Sequence, residues 1–321
     1  MSATDTATDR DTYEVIDPAF RWLIQRNARL DRLATGFRWA EGPVWITAYG
    51  VLLFSDIPNQ RMMRMTADGQ ISVFRQPSNF SNGNTLDREG RLVTCEHGTR
   101  RVTRTEHDGR ITVLADSHQG KRLNSPNDVV VKSDGSVWFT DPSYGILGNY
   151  EGYKAPVEQD AHGVYRIGTD GKVSRVTDAF VQPNGLAFSP DESVLYVADS
   201  GSSHDPSVPP VIRALPVEGE GLGAPTDFCE VDAGLPDGFR VDIHGNVWSS
   251  AKDGVQVFDP KGNRIGRIRV PETVSNLTFG GPARNRLYIT ATTSVYTVYT
   301  ETQAAGAPVP TAEMWQGTRQ G

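Results

Sequence analysis

Six stretches of this chain open on a small oxygen-bearing side chain and close, about 14 residues later, in a β-rich segment. The openers are Glu41 (AEGPVW), Asn84 (SNGNTL), Asn127 (NSPNDVV), Asn184 (QPNGLAF), Asp237 (LPDGFRVD) and Asn276 (VSNLTF). Four of them, Glu41, Asn127, Asn184 and Asp237, form a set of two carboxylates and two amide oxygens. Brought to one point, they would make a hard, all-oxygen shell suited to one divalent cation, Ca²⁺ first, with Mg²⁺, Mn²⁺ or Zn²⁺ as alternatives. No His or Cys competes in that set for a softer ion. Asn and Asp before Gly also serve as ordinary turn residues; repetition in one register is what favours a site.

To converge, these residues must start equivalent elements. Successive openers lie about 43, 43, 57, 53 and 39 residues apart, the period of β-propeller blades. Each unit then repeats one pattern. A turn such as Asp87-Arg88-Glu89-Gly90 or Asp242-Ile243-His244-Gly245 supplies positive φ and a capping carboxylate. An alternating strand follows (VLLFS, RLVTC, SVWFT, VLYVA, NVWSS, RLYIT), as half-buried strands do. Third strands read MMRMT, RVTRT, GVYRI, VIRAL, GVQVF and SVYTV, and helical periodicity is confined to the region of Ala19 to Arg29. The expected fold is all-β: a six-bladed β-propeller over 29–300, with an N-terminal extension at 1–28 and a C-terminal tail at 301–321. The last unit has three strands, and Arg29 to Thr35 can supply its fourth, closing the ring and removing two sheet edges. Trp45, Trp138 and Trp248, in strands of separate units, read as core between blades.

Composition narrows the class. The chain has 321 residues with 32 Gly and 20 Pro, and a formal charge of -7, which argues against a nucleic-acid partner. The basic run Arg100 to Arg104 reads as a solvated strand face. No stretch approaches the roughly 18 apolar residues of a membrane span. The opening MSATDTATDRDTYEV lacks an apolar leader core, so no membrane partner is expected and the cytoplasm is the expected compartment. Cys95 and Cys229 cannot make a disulfide framework. There is no Gly-x-Ser-x-Gly elbow, phosphate-binding loop or dinucleotide fingerprint. The self-association state is left open by the sequence.

Two long connections, Ser143 to Gly163 and Ser200 to Pro210, follow second strands and so lie on the face where inner strands begin. Loops of this length in compact domains tend to carry function. Around the same mouth, Asn84, Asn124, His97 and Tyr144 are candidates for binding substrate, His97 being the group most easily poised near neutral pH. Tyr150 and Tyr153 share the first loop. Asp56, Asp141 and Asp199 close second strands and read as hydrogen-bond acceptors for backbone amides rather than as reacting groups.

The motifs EGPVW, NSPNDVV, FTDPSYG, QPNGLAFSPD, LYVADS and PDGFRVD, together and in order from about Leu33 to Val298, resemble those of the SMP-30/gluconolactonase/luciferin-regenerating-enzyme-like family. The resemblance implies a propeller with one catalytic divalent cation on its axis, held by Glu41, Asn127, Asn184 and Asp237, with Asp237 also the catalytic residue. It implies hydrolysis of a small-molecule lactone, plausibly a sugar lactone such as glucono-1,5-lactone, to the hydroxy acid. Related propellers with the same ligands hydrolyse organophosphates, and a non-catalytic Ca²⁺-binding propeller is a third reading. Such a cation would polarise the lactone carbonyl, and Asp237 would act as general base or as nucleophile. One departure stands out: mammalian members carry Arg where this chain has Ser125, so hydroxyl recognition must be arranged differently here.

Overall fold

Alternation of apolar and polar residues, broken every few positions by a Gly-containing turn, yields short antiparallel strands that bury both faces between neighbouring sheets. The computed structural model describes residues 12–306. It has six such sheets in sequence order. Blade one comprises Ala40–Ile46, Val51–Asp56, Arg61–Thr66 and Ile71–Arg75. Blade two comprises Ser81–Leu86, Leu92–Glu96, Arg101–Thr105 and Ile111–Ala115. Blade three comprises Val129–Val131, Val137–Asp141, Gly163–Ile167 and Val173–Thr177. Blade four comprises Pro183–Phe188, Val194–Asp199, Val211–Glu218 and Thr226–Glu230. Blade five comprises Phe239–Val241, Val247–Ala251, Gly254–Phe258 and Arg264–Arg269. Blade six comprises Val274–Gly280, Arg286–Ala291 and Ser294–Tyr299. Inner strands of successive blades touch, and that of blade six touches that of blade one, so the ring is closed.

Closure is made as the sequence implies: Asp31–Thr35 pairs with Ser294–Tyr299 as the outer strand of blade six. The chain goes further than expected before that point. Tyr13–Val15 pairs with Arg264–Arg269 as a fifth strand on blade five, and Pro18–Trp22 forms a 3-10 turn. Phe20 is fully buried there, against Trp248 and over Gly266, where a Cβ would lie 2.2 Å from its ring. Much of the segment read as an extension is therefore built into the propeller. Its first eleven residues and most of the C-terminal tail lie outside the described residues.

The core lies between blades. Trp45 of blade one stacks on Tyr288 of blade six at 5.3 Å, Trp138 meets Phe188 of blade four edge-on, and Trp248 meets Phe279 of blade six. Arg100 corrects the reading of the basic run as solvated. It is buried, and its guanidinium donates to the carbonyls of Leu123 and Asn124; two inward-facing carbonyls outweigh solvation of that charge.

Four inner strands carry one extra residue near their start: between Glu41 and Val44, Ser81 and Asn84, Pro183 and Leu186, and Val274 and Asn276. Such bulges re-aim a side chain out of the pleat. They also define the equivalent position in each blade. Aligned this way, blade two presents Asn82 rather than Asn84, and blade six presents Ser275 rather than Asn276. The residue following that position is Gly42, Gly83, Asp128, Gly185, Gly238 and Asn276 around the ring.

Those glycines are required by close approach. The amides of Gly83, Gly185 and Gly238 donate to the carbonyls of Asn127, Asp237 and Ser275 in the next blade. A Cβ on Gly185 would lie 2.2 Å from the Asp237 carbonyl oxygen, and one on Gly42 would lie 1.9 Å from that of Asn82. The inner ends of the blades are thus hydrogen-bonded to one another around the axis, which fixes the side chains they carry.

Candidate active site

A cavity of about 180 Å³ opens at the end of the axis where the inner strands begin. Glu41, Asn127, Asn184 and Asp237, from four different blades, all line it. Tyr144 and Glu151 from the first long loop and Ser200 and Ser203 from the second complete its polar wall, with Trp39, Ile57 and Leu235 as its apolar part. The volume is below the roughly 300 Å³ at the small end of ordinary ligand sites, so it admits one small ring. A wider groove of about 550 Å³ lies near Gly98, Arg101 and Arg122. It is open to solvent and gathers no set of converging acids, so chemistry rather than size singles out the axial cavity.

Each of the four residues is tied to its neighbours through side chain or backbone. Glu41 is buried, and its Oε2 accepts from the Gly42 amide and, at 3.0 Å, from Nδ2 of Asn276. The Asp237 amide donates to Oγ of Ser250 at 2.8 Å, and its carboxylate is hydrogen-bonded by Asn184. The Asn127 amide donates to the Thr140 carbonyl, and Thr140 Oγ1 donates to the Asn184 carbonyl at 2.7 Å. The second-strand carboxylates act on backbone amides, tying down the approach to the inner strand of their own blade. Asp56 accepts from the Arg38 amide, Asp141 from that of Asn124, and Asp199 from those of Val181, Gln182 and Gly201.

Electrostatically the cavity is an acid-rich site whose carboxyls are buried. Burial pushes Glu41 up to about 8, and the charge of Asp128 adds to this. Asp237 is raised well above the usual carboxylate range, first by burial and then by the charges of Glu41 and Glu151. Burial alone takes Glu151 up to about 7. Beneath them Asp128 is 3.7 Å from the Arg240 guanidinium. Uncompensated buried carboxylates are costly, and a hard cation relieves that cost. Among the described residues no three or more His, Cys, Asp or Glu side chains gather as a metal cluster. A cation here would therefore need the two amide oxygens as well as the two carboxylates, and that donor set fits Ca²⁺ chemistry.

The other candidate residues divide. Tyr144 lines the cavity, its hydroxyl held by the Ser200 carbonyl at 3.2 Å and Ser203 Oγ at 3.0 Å. Asn84 does not reach it. Its Nδ2 donates to the carbonyls of Gly42 and Asn82 and to Ser55 Oγ, and its Oδ1 accepts from Thr94 Oγ1, all within the joint between blades one and two. Asn124 is fully buried below the first long loop, with Nδ2 3.3 Å from the Asp141 carbonyl. His97 is buried behind the wall rather than in it, and burial lowers it to about 4. Of the loop tyrosines, Tyr150 and Tyr153 are more than half exposed, and Tyr153 packs edge-on against Phe80. Sequence reasoning missed Asn82 and Glu151. The Asn-Gly dipeptide at 82–83, matching that at 184–185, was a usable signal for the first; Glu151 sits in a loop without periodicity and had none.

A closed six-bladed propeller with an acid-and-amide cavity on its axis defines a class of scaffold with one buried polar site. The description "SMP-30/Gluconolactonase/LRE-like region" matches residues 39–293, and this chain belongs to that family. It is similar to a gluconolactonase of Zymomonas mobilis, 33% identical over 312 residues, covering 89% of this chain and 85% of that one. It is also similar to a pentonolactonase of Haloferax volcanii, 30% identical, covering 80% and 82%. The solved structure of a gluconolactonase from Xanthomonas campestris superposes with a TM-score of 0.85 at 40% identity, covering 90% of this chain and 95% of that one.

Proposed function

We propose that this chain hydrolyses a lactone of sugar type, such as glucono-1,5-lactone, to the open hydroxy acid, and that it does so with one divalent cation, Ca²⁺ being the best fit. The observation that carries this reading is the convergence of Glu41, Asn127, Asn184 and Asp237 on one small cavity. The names of the two lactonase relatives support the substrate class. When bound, the cation supplies Lewis-acid polarisation of the carbonyl and a counter-charge for the oxyanion.

The chain's own residues do the rest. Inter-blade hydrogen bonds to the backbone at Asn127 and Asn184, and from Asn276 to the Glu41 carboxylate, fix where these residues sit, so little reorganisation accompanies the reaction. Asp237, held by Asn184 and the Ser250 hydroxyl, takes a proton from the attacking water or adds directly to the carbonyl carbon. In the first route hydroxide adds to the carbonyl carbon, the ring C–O bond breaks, and the proton held by Asp237 passes to the leaving alkoxide. In the second, the ring C–O bond breaks as a mixed anhydride forms on Asp237, and water then cleaves that anhydride, supplying the acid's oxygen, with its two protons shared between the alkoxide and the released acid. Trp39, Ile57, Leu235 and Tyr144 exclude bulk water around the ring, which strengthens each polar contact inside.

A pH-indicator assay with D-glucono-1,5-lactone, γ-butyrolactone and paraoxon, with and without EDTA, tests this. A lactone-selective rate that EDTA abolishes is expected. A preference for paraoxon would point to phosphotriester cleavage. Absence of turnover on every substrate would point to a propeller that only binds Ca²⁺.

A further inference from the structure

The wall of the cavity beside the four candidate ligands includes two residues that the reaction above does not use, backed by a third. Glu151 comes from the first long loop and Asn82 from the start of blade two, and both line the cavity. His97 stands behind them and touches both: its Nδ1 is 3.0 Å from the Glu151 carbonyl oxygen, and its Nε2 is 3.2 Å from Nδ2 of Asn82. A carbonyl only accepts, so Nδ1 carries the proton and Nε2 presents its lone pair. The group donating to that lone pair must be the Asn82 amide nitrogen. The orientation of Asn82 is thereby fixed, with Oδ1 turned away from the imidazole.

The loop is pressed onto this imidazole. A Cβ on Gly145 would lie 2.5 Å from Cβ of His97, and one on Gly152 would lie 2.0 Å from the Gly145 carbonyl oxygen. The Gly145 amide donates to Ser125 Oγ, which donates to the Pro142 carbonyl at 2.7 Å. The loop thus has one seat, and Glu151 one location. Among the described residues no group donates to the Glu151 carboxylate or to Oδ1 of Asn82, and burial alone accounts for the raised proton affinity of Glu151. Two acceptor side chains, Glu151 and Asn82, therefore line the cavity with no protein donor on their oxygens. A bare lactone ring carries only acceptors and cannot satisfy them. Ring hydroxyls can.

We propose that Glu151 and Asn82 are the specificity-determining acceptors for hydroxyl groups on the lactone ring, and that His97 is the positioning residue that holds both. This rests on the lactonase reading and deepens it by assigning to named residues the preference for a hydroxylated ring over its deoxygenated counterpart. Sites built to hydrogen-bond a substrate hydroxyl discriminate strongly against the analogue without it.

The experiment compares D-glucono-1,5-lactone with δ-valerolactone, the same ring without hydroxyls, by kcat/KM at saturating Ca²⁺. Glu151→Gln, which keeps an acceptor but not its charge, is expected to lower the preference for the hydroxylated ring by about fivefold to tenfold. His97→Phe should do the same, while His97→Gln, which can donate to the Glu151 carbonyl and accept from Asn82, should restore most of the preference. A merely structural role for His97 would lower both rates alike. Calorimetry of D-gluconate against 5-hydroxypentanoate gives a readout independent of turnover: the wild type should bind gluconate at least about tenfold more tightly, and Glu151→Gln should erase the difference. An unchanged preference in Glu151→Gln, equal affinity of the wild type for the two acids, or loss of the Ca²⁺-induced thermal shift in Glu151→Gln overturns the proposal, the last by making Glu151 a cation ligand. Failure of the wild type to open either lactone, with selective gluconate binding retained, would instead remove the lactonase reading and leave the hydroxyl-recognition wall standing.

Discussion

Asn184 and Asn84 look alike in sequence, each heading a β-rich repeat, yet the ring uses them in opposite ways. Asn184 follows Pro183 at the bulge of its inner strand and faces the axial cavity. Asn84 lies two residues past the equivalent point, and its amide is consumed by four hydrogen bonds in the joint between blades one and two. Asn276, one residue past that point in blade six, plays an intermediate part: its Nδ2 supports Glu41 and its Oδ1 accepts from the Leu277 amide. The same amide chemistry therefore serves a reaction site or a structural joint according to a shift of one or two residues along a strand, because the bulge breaks the alternation of faces at that point.

The largest test of this contrast is Asp237→Asn. At saturating divalent cation, lactone turnover should fall by about 10² to 10⁴ with the fold intact by circular dichroism. Near-normal turnover would reduce Asp237 to a ligand and leave the cavity side of the comparison without its reacting group.

Next in size is the cation itself. Ca²⁺ at about a hundred times its Kd should stabilise the native state by about 2.7 kcal/mol, a shift of Tm on the order of 5 °C. The pH dependence has a definite sign. In the cation-free protein Glu41 titrates at about 8 against an ordinary value of 4.5, so between those values the folded state binds more protons and stability falls as pH rises. Calcium competes with those protons, so its thermal increment should be larger near pH 8 than near pH 5. A pH-independent increment, or no increment for any of several ions, would break the assignment of the four residues as a cation shell.

On the joint side, Asn84→Ala should cost about 2 kcal/mol in urea unfolding, since it strands buried partners in two blades, while kcat/KM of the folded fraction stays close to normal. A large loss of kcat without loss of stability would move Asn84 to the cavity. The smallest expected effect is that of Tyr144→Phe. Losing its contacts with Ser200 and Ser203 should raise KM by about threefold to tenfold, in line with about 1 kcal/mol for a neutral hydrogen bond.

The blades were legible because period-two strands and Gly turns carry their own spacing, and the closing strand because blade six was one short. Four openers fell in register with the cavity because a small residue or Pro precedes each in a recognisable motif. Blades two and six slipped because Asn84 and Asn276, two and one residues past the equivalent position, are amides of the kind the pattern seeks, and no Pro marks Asn82 or Ser275 as it marks Asn127, Asn184 and Asp237. The strand Tyr13–Val15 was invisible for a different reason: three residues are too few for periodicity, and its partner lies at the far end of the chain. Glu151 is placed by glycine packing on a histidine in another blade, a tertiary contact with no local trace.

The two N-terminal strands also bear on the order of events during synthesis. The strand Asp31–Thr35 is made long before its partner, since the Thr35 and Ser294 hydroxyls that meet across the closing pair are 259 residues apart in sequence. Until Ser294–Tyr299 has emerged, Asp31–Thr35 has nothing to pair with, and blade five keeps a bare edge unless Tyr13–Val15 arrives from upstream. Ring completion is thus a late, long-range step of the kind that slows folding and exposes sheet edges to other chains. The bridge between Ile24 and Thr300 brings the beginning and end of the ring together. Moving residues 12–36 to follow blade six would turn this pairing across 259 residues into a local one.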